Sequence, residues 1–417
     1  MDAGKYSMGI GDRFGHQGSA QLRAITEAGR KGVEITPVWN KSNREHVTIG
    51  TVPEDVRKEA DSVTAEAGFR KSYFVDADHI NFDTVDRFIP ASDYFTIDVA
   101  SFIGKKASAE KIGAFLSESK KYTGNLKIPG IEMPFSITPD FLRKTSENYL
   151  LATEKAGQIY RKIEAAKGGG KFITEISMDE VREPQRPADL FFILMMLGSE
   201  KIPVQTIAPK FSGRFNKGVD YEGDPVAFAR EFEQDILVID KAAREFGIPC
   251  DLKLSIHSGS DKFSIYPHIG AMAKKHNTGF HIKTAGTTWL EEVIGLASAG
   301  GEALEFVKEI YLSSLDNINE LTSPYSNLIN IKTELLPHGD KVKKWSGDEF
   351  ASSIRHIPWN PSYNPSMRQL IHVAYKLAAV KKDEYYRLLE KHKEVVEESV
   401  FENLYNRHIC RLFRIAD

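Results

Sequence analysis

Three histidines of this 417-residue chain lie within or just after short β-rich segments, where their side chains could meet around one metal ion. They are His79 in DADHI, His257 in LSIH and His281 in FHIKT. Neutral imidazole is the commonest protein ligand of divalent transition metals. Histidines from separate strands leave coordination positions open for water or substrate. We therefore predict a divalent metal site at these three residues, whose ligand types suit Zn, Mn, Fe, Co or Ni.

Two carboxylates in the same segments are candidates for acid/base chemistry. Glu175 lies inside FITEISM, and a carboxylate is rarely buried in mid-strand without a function. The alternative for Glu175 is an ion pair with a lysine of a neighbouring strand, Lys253 or Lys283. Asp78, beside His79, could move a proton or orient that imidazole, and its alternative is a helix cap or a turn. We predict that Asp78 and Glu175 are catalytic, because carboxylates on two sides of a substrate suit proton transfer.

Further charged residues at the predicted strand ends indicate binding of an anionic small molecule. The predicted substrate-binding residues are Asp12, Arg13, Lys210, Arg214, Lys262 and Lys283. Taken singly, Lys210, Arg214 and Lys262 could equally be solvated surface charges. The HSGS sequence at 257–260 lacks the G-x-S-x-G pattern of a nucleophilic serine, which argues against acyl transfer.

These residues need a scaffold, and eight short β-rich segments alternate with segments of helical character. The β-rich segments are 6–11, 33–39, 72–76, 94–99, 172–178, 203–208, 251–257 and 279–284. This alternation indicates parallel strands joined by right-handed crossovers, and eight such units close into a barrel. We predict an α/β fold, a (β/α)8 TIM-type barrel, as a single domain over 1–417. An open doubly wound sheet fits eight strands less well, and no GxGxxG follows the first strand.

Two regions exceed the minimal barrel. Residues 100–171 form a predicted insertion between the fourth and fifth barrel strands, with one long amphipathic helix over 138–166. Residues 285–417 form a predicted helical C-terminal extension. Functional groups of such barrels collect at the C-terminal ends of the strands, so we expect the site at that face.

The composition of the chain indicates which kinds of binding partner are not expected. A formal net charge of -3 gives no indication of nucleic acid or a membrane surface as partner. The apolar run at 190–197 is too short to span a bilayer, and the N-terminus does not have the pattern of a signal peptide. The chain has two cysteines, Cys250 and Cys410, so no disulfide framework is expected and a cytoplasmic location is predicted. The helical tail at 365–417 could pack within or between subunits, which leaves a homo-oligomer open.

Several segments resemble the tagaturonate epimerase family of bacterial hexuronate catabolism. They are DADHI at 76–80, FTID at 95–98, GVDYEGD at 218–224, LSIHSGSDKFSIYP at 254–267, FHIKTAG at 280–286 and RQLIHVAYK at 368–376. The strings SIHSGSDKFSIYP and FHIKTAG are the specific ones. The chain departs from the family after FTID, where it reads VASFIG, and after 178–180, where it reads VREPQRP.

The resemblance implies a metal-dependent barrel enzyme that interconverts tagaturonate and fructuronate, with a small-molecule sugar acid as its partner. It implies that His79, His257 and His281 bind the metal and that Asp78 and Glu175 are the acid/base pair. The inverted carbon of tagaturonate is not next to the ketone, so a retro-aldol step is the economical route. Two alternatives remain: a metal-dependent isomerase or aldolase acting on another sugar or sugar acid, and a non-catalytic sugar-acid-binding protein.

Overall fold

A computed structural model describes residues 1–257 and 261–415, and in this part of the chain eight parallel strands close into a barrel. In order around the barrel, the strands are β1 Tyr6–Ile10, β2 Thr36–Ser42, β3 Phe74–Ile80, β4 Tyr94–Asp98, β7 Ile173–Ser177, β8 Thr206–Ala208, β9 Lys253–His257 and β10 Phe280–Lys283. Strand β10 closes the barrel by pairing with β1. The predicted (β/α)8 barrel is confirmed. The remainder of the HSGS string, residues 258–260, and residues 416–417 of the predicted domain lie outside the described residues.

Helices surround the barrel and continue beyond its last strand. From β1 to the first helix after β10 they are α1 Gly18–Arg30, α2 Asn43–Ile49, α3 Pro53–Glu66, α4 Val85–Phe88, α5 Ala109–Ser119, α6 Pro139–Lys167, α7 Pro187–Ser199, α8 Pro225–Phe246, α9 Tyr266–Lys275 and α10 Thr288–Ala299. The C-terminal region adds α11 Gly301–Asp316, α12 Ile318–Thr322, α13 Gly339–Val342, α14 Gly347–Ile354, α15 Pro365–Val373, α16 Tyr375–Val380, α17 Lys382–Lys391, α18 Lys393–Glu402, a π-helical turn Asn403–Ile409 and α19 Cys410–Phe413. None of the described helices is long and apolar enough to cross a membrane.

Local sequence signals set the ends of the barrel helices. Helix α8 begins with Pro225, and the Asp224 side chain before it accepts a hydrogen bond from the Val226 amide. It ends at Gly247, whose φ of 68° is the left-handed conformation that closes helices. The long helix predicted over 138–166 is confirmed as α6.

Strands β2 and β3 run further than the sequence pattern indicated. The predicted strands ended at 39 and 76, whereas β2 continues to Ser42 and β3 to Ile80. Polar residues such as Asn40 and Asp78 had the character of turn residues, yet the parallel pairing between β2 and β3 continues as far as Ser42 opposite Asp78. The polar ends of these strands are therefore part of the barrel wall at its mouth.

The insertion packs on the outside of the barrel. It holds α5, α6 and an antiparallel hairpin of β5 Gly124–Leu126 and β6 Phe135–Ile137, which the sequence pattern did not predict. The rings of Phe115 and Tyr122 lie 6.2 and 5.8 Å from that of Phe192 on α7. This cover explains why α7 is buried on all sides along its apolar run at 190–197.

The C-terminal helices build a second apolar core beside the barrel. Trp289 on α10, Tyr311 on α11 and Tyr385 on α17 are buried within it. Helix α18 packs against both α1 and α10 and so joins this core to the outer helices of the barrel.

Candidate active site

A polar cavity lies at the C-terminal ends of the barrel strands. Its lining residues are Asp12, Arg13, Asn40, Ser42, Arg44, Glu45, Asp78, His79, Asp179, Glu180, Lys210, Phe215, Lys217, His257, Lys283, Gly286, Tyr325, Leu328, His372 and Tyr375. The C-terminal region contributes the last four of these. The insertion at 100–171, all of which the structure describes, contributes none.

Two of the three predicted metal ligands meet at this cavity, together with a carboxylate. The ligand atoms of His79, Asp179 and His257 lie within 4.8 Å of one another. Asp179 Oδ1 is 3.5 Å from His79 Nε2 and 3.2 Å from His257 Nδ1. His79 lies at an irregularity in the β3–β4 pairing and has a φ of 52°. A left-handed backbone costs a side-chain-bearing residue roughly 1–2 kcal/mol, and such strain is typical of functional sites.

The chemistry of this trio fits a divalent cation. The two ring nitrogens nearest Asp179, His79 Nε2 and His257 Nδ1, are buried and have no hydrogen-bond partner among the described residues. A buried polar atom without a partner is costly, and a cation would satisfy both nitrogens at once. Two imidazoles and a carboxylate are a common ligand set for a catalytic metal with open positions.

Each of the two histidines is held from behind by a second carboxylate. His79 Nδ1 donates to Asp78 Oδ1 over 2.9 Å, and His257 Nε2 donates to Glu175 Oε1 over 2.8 Å. Such hydrogen bonds fix the ring orientation and the tautomer that leaves the other nitrogen free for a metal. The placement of Asp78 and Glu175 matches the orienting role that the sequence had left open for Asp78.

A buried lysine ties these carboxylates together. Lys283 Nζ lies 2.8 Å from Asp76, 2.7 Å from Asp78 and 3.1 Å from Glu175. It also donates to Thr96 Oγ1 over 2.6 Å. Burial lowers the pKa of Lys283, but the three carboxylates outweigh this effect and hold it well above its ordinary value. Lys283 is thus a fixed positive charge beneath the site.

Glu175 lies below the cavity and does not line it. Its side chain is 0% exposed, and its oxygens also accept hydrogen bonds from Tyr94 and Thr96. Burial raises the pKa of Glu175, but Lys283 and His257 outweigh burial and hold the pKa well below its usual range. The lysine pairing anticipated as its alternative is present, through Lys283.

The structure does not bring His281 to the trio of His79, Asp179 and His257. On β10, Lys283 is the residue that pairs with His257, and His281 lies opposite Ser255, two residues deeper in the barrel. His281 Nδ1 bonds to Ser7 Oγ over 2.9 Å. Burial lowers the pKa of His281 to about 3, so its ring is neutral. Alternation along a strand gives the face of a side chain but not its depth, and depth separates His281 from the other two histidines.

Asp12 and Arg13 line the cavity but are largely engaged by the protein. The amides of residues 14–17 donate to the Asp12 carboxylate over 2.5 to 2.9 Å. Arg13 pairs with Glu45 at 3.0 Å, donates to the carbonyl of His372 and stacks over Tyr375. Asp12 therefore holds the turn that leads into α1, while Arg13 links the barrel to the C-terminal region.

The other predicted substrate-binding residues differ in whether they line the cavity. Lys210 lines the cavity, and burial lowers its pKa against the opposing effect of Asp179. Arg214 is exposed and lines an adjoining outer cavity. Lys262 is fully buried and donates to the carbonyls of Asn216 and Val219, away from the cavity lining.

Several lining residues were missed by sequence reasoning. Asp179 lies two residues beyond the end of β7, and its period-two spacing from Glu175 in the sequence was the available signal for it. Arg44 follows a strand end that was placed too early. Tyr325 and His372 lie far along the chain in the C-terminal helices, and His372 belongs to the RQLIHVAYK string, which had no assigned role.

Comparisons with known proteins point to one family. A sequence model described as tagaturonate epimerase matches residues 1–412. The chain is 29% identical over 423 residues to the tagaturonate/fructuronate epimerase of Thermotoga maritima, with 97% of this chain and 80% of that protein covered. The crystal structure of the fructuronate-tagaturonate epimerase UxaE from Cohnella laeviribosi, complexed with one glycerol, has a TM-score of 0.81 at 24% identity, covering 98% of this chain and 81% of that one. The native crystal structure of that enzyme has a TM-score of 0.80 at 24% identity, covering 99% and 82%. Both structures share the fold of this chain.

Proposed function

Because this chain belongs to the tagaturonate epimerase family, whose model matches residues 1–412, we propose that it interconverts D-tagaturonate and D-fructuronate. The chain is an isomerase of the epimerase type. The observation that carries the assignment to the barrel mouth is the meeting of His79, Asp179 and His257 at a polar cavity lined by both acidic and basic side chains. A cytoplasmic location and a homo-oligomeric state stay predictions from the sequence.

We propose His79, Asp179 and His257 as the ligands of a divalent cation. The unpartnered ring nitrogens of both histidines support this assignment, as do the carboxylates behind them. When bound, such a cation supplies Lewis-acid stabilisation of negative charge on the substrate ketone oxygen. His281 remains in the proposal only as a buried barrel residue, because its ring nitrogens lie outside this group.

The position of the inverted carbon dictates the type of bond change. That carbon is one bond too far from the ketone for simple deprotonation, so we propose the economical route, in which the bond between it and the carbon beside the ketone breaks. Its hydroxyl loses a proton and becomes an aldehyde, while the electron pair of the broken bond passes towards the ketone oxygen. Rotation of the aldehyde and re-formation of the same bond, with return of the proton, invert the centre without any change in composition.

Asp78 is the better placed of the two predicted acid/base residues for this proton. It lines the cavity, and its Oδ2 makes no hydrogen bond among the described residues, whereas Oδ1 holds His79 and Lys283. Burial raises the pKa of Asp78, but Lys283 and His79 outweigh burial and hold the pKa well below its usual range, so the carboxylate is ionised. We propose that Asp78 receives the hydroxyl proton because, of the two candidates, it is the one that lines the cavity. We propose Glu175 as a positioning residue that acts through His257.

The proposed function is tested by measuring whether metal-loaded protein converts tagaturonate to fructuronate. Chelator-treated protein is reloaded with Mn²⁺ or Zn²⁺, its metal content is measured, and tagaturonate is added. We expect fructuronate to form, and to form far more slowly with His257→Ala. Absence of turnover with confirmed bound metal would exclude this substrate. Release of fragments would indicate an aldolase. A product with its carbonyl at another carbon would indicate a different isomerase. Binding that needs no metal and survives His257→Ala would indicate a non-catalytic binding protein.

A further inference from the structure

Two tyrosines of the C-terminal region form part of the cavity wall. Tyr325 ends the 3-10 turn Ser323–Tyr325, and Tyr375 begins α16. They are 5% and 1% exposed, and their hydroxyls lie 3.4 Å apart. We call Tyr325 and Tyr375 the roof pair. Both hydroxyl-bearing rings line the cavity that also holds His79 and His257.

Positive charge collects around the roof pair. Arg44 and Lys217 lie 5.6 and 5.9 Å from the centroid of the Tyr325 ring, and both line the cavity. Neither makes an ion pair within 4.0 Å among the described residues, and Glu180 acts on Arg44 only from beyond that distance. Like charges gathered at a partly enclosed surface repel each other unless an anion joins them. The roof therefore has the character of an anion-binding site.

Lys217 is held in place by buried contacts of its own loop. Its amide donates to the Leu328 carbonyl over 2.7 Å. The carbonyls on either side of it are held by two fully buried cations: Lys262 donates to Asn216, and Arg368 donates to Gly218 over 2.6 Å. A cation on a fixed backbone loses little entropy on binding, which is the usual design of a specific anion subsite.

We infer that Arg44, Lys217 and the hydroxyl of Tyr325 bind the carboxylate of the sugar acid, at the end of the cavity away from its reacting carbons. This inference rests on the proposed function, and it names what distinguishes an acid substrate from a neutral sugar. Arginine and lysine pair with carboxylates through charge-assisted hydrogen bonds, and the phenol adds a third donor. Arg44 belongs to the barrel and Tyr325 to the C-terminal region, so the subsite lies between these two parts of the protein.

The experiment compares an acid with its neutral counterpart by calorimetry on metal-loaded protein. The ligands are tagaturonate and the neutral ketohexose tagatose. We expect Lys217→Met and Arg44→Met to weaken tagaturonate binding by about ten- to a hundred-fold, the range of a charge-assisted hydrogen bond, and to change tagatose binding by less than about two-fold. Lys376→Met is the matched control, since Lys376 also lies 5.5 Å from the Tyr325 ring but does not line the cavity.

The outcomes separate this inference from the proposed function. If wild-type protein converts tagaturonate while Lys217→Met and Arg44→Met keep its preference for the acid, the subsite is wrong and the function stands. If wild-type protein converts nothing, the function is wrong, and binding of galacturonate against galactose still tests the subsite. Equal losses in the Lys376→Met control, or no preference for the acid in the wild type, would overturn the inference.

Discussion

At the scale of single residues, Lys283 lines the cavity and organises the acidic side chains around it. Its ammonium lies between Asp76, Asp78 and Glu175, and the last two of these carboxylates accept hydrogen bonds from His79 and His257. The sequence pattern predicted Lys283 as a substrate-binding residue. Its charge helps to hold the pKa of Asp78 and of Glu175 well below their usual ranges, and these two ionised carboxylates orient His79 and His257.

Replacement of Glu175 by Gln tests this positioning role. The amide keeps the size of the side chain but loses the charge that orients His257 Nε2, so we expect metal affinity to fall by about 10- to 100-fold with the fold retained. Competition with a chelator measures the affinity. Glu180→Gln is the control, because Glu180 lines the same cavity and no hydrogen bond or ion pair joins it to either histidine among the described residues. An equal loss in both variants would show that charge alone, not orientation, holds the metal.

Sequence reasoning reached part of this constellation. His79 and His257 could be predicted because each ends a β-rich segment, and strand ends meet at one face of a barrel. His281 could not be separated from them, since its depth depends on the register between β9 and β10. Asp179 was visible as a polar strand end, but its closeness to both imidazoles depends on the course of the chain after β7.

At the scale of elements, a buried carboxyl group on helix α10, that of Glu291, contacts α18 and the π-helical turn. Glu291 accepts hydrogen bonds from Ser399 at 3.1 Å and Asn403 at 3.2 Å, and lies 3.8 Å from Arg368. Burial raises the pKa of Glu291 to about 7, against the lowering effects of Arg368 and Arg407. This contact therefore depends on a carboxyl that is protonated in the folded protein below neutral pH.

The pH dependence follows from that raised pKa. The unfolded chain restores the ordinary value of 4.5, so the folded protein binds more protons between about 4.5 and 7. The stabilisation that protonated Glu291 gives the folded protein is full below pH 4.5 and is lost as the pH rises through 7. Glutamine carries no charge at either pH, so the Glu291→Gln variant does not lose this stabilisation. We expect the difference in unfolding free energy between the variant and the wild type to shift in favour of the variant by up to about 3 kcal/mol from pH 5 to pH 8. Urea titrations at both pH values measure it, and a constant difference would contradict the pKa assignment.

The elements themselves were largely predictable, and the misses have physical causes. Eight β-rich segments became the barrel because period and turn residues are local signals. The ends of β2 and β3 were placed too early, since Asn40 and Asp78 are polar and their partners lie on other strands. The hairpin of β5 and β6 was missed because each of its strands has three residues, too few to show a period.

At the scale of the whole molecule, a buried ionic cluster joins the barrel to the C-terminal region. Asp261, after β9, accepts hydrogen bonds from Arg368 at 2.7 Å, His356 at 3.1 Å and His408 at 2.8 Å. Arg368 also holds the Gly218 carbonyl in the loop that carries Lys217. The roof of the active site thus depends on contacts between segments more than 100 residues apart, which no local pattern in the sequence reports.

Removal of Arg368 tests that connection. Arg368→Met leaves Asp261 buried with less compensation, so we expect a loss of about 3–5 kcal/mol in unfolding free energy. Denaturant titration measures the loss. Arg387→Met is the control, because its pair with Glu302 is exposed and solvent screens such pairs, so they contribute little to stability. A loss for Arg368→Met no larger than that of the control would mean that the cluster does not join the two cores.

The most direct test of the site is the metal content of two variants beside the wild type, after loading and removal of free metal. The ligand set predicts about one equivalent for wild type and for His281→Ala, and almost none for Asp179→Ala. Circular dichroism confirms that all three proteins are folded. Metal retained by Asp179→Ala and lost by His281→Ala would contradict the assignment of His79, Asp179 and His257 as the ligands.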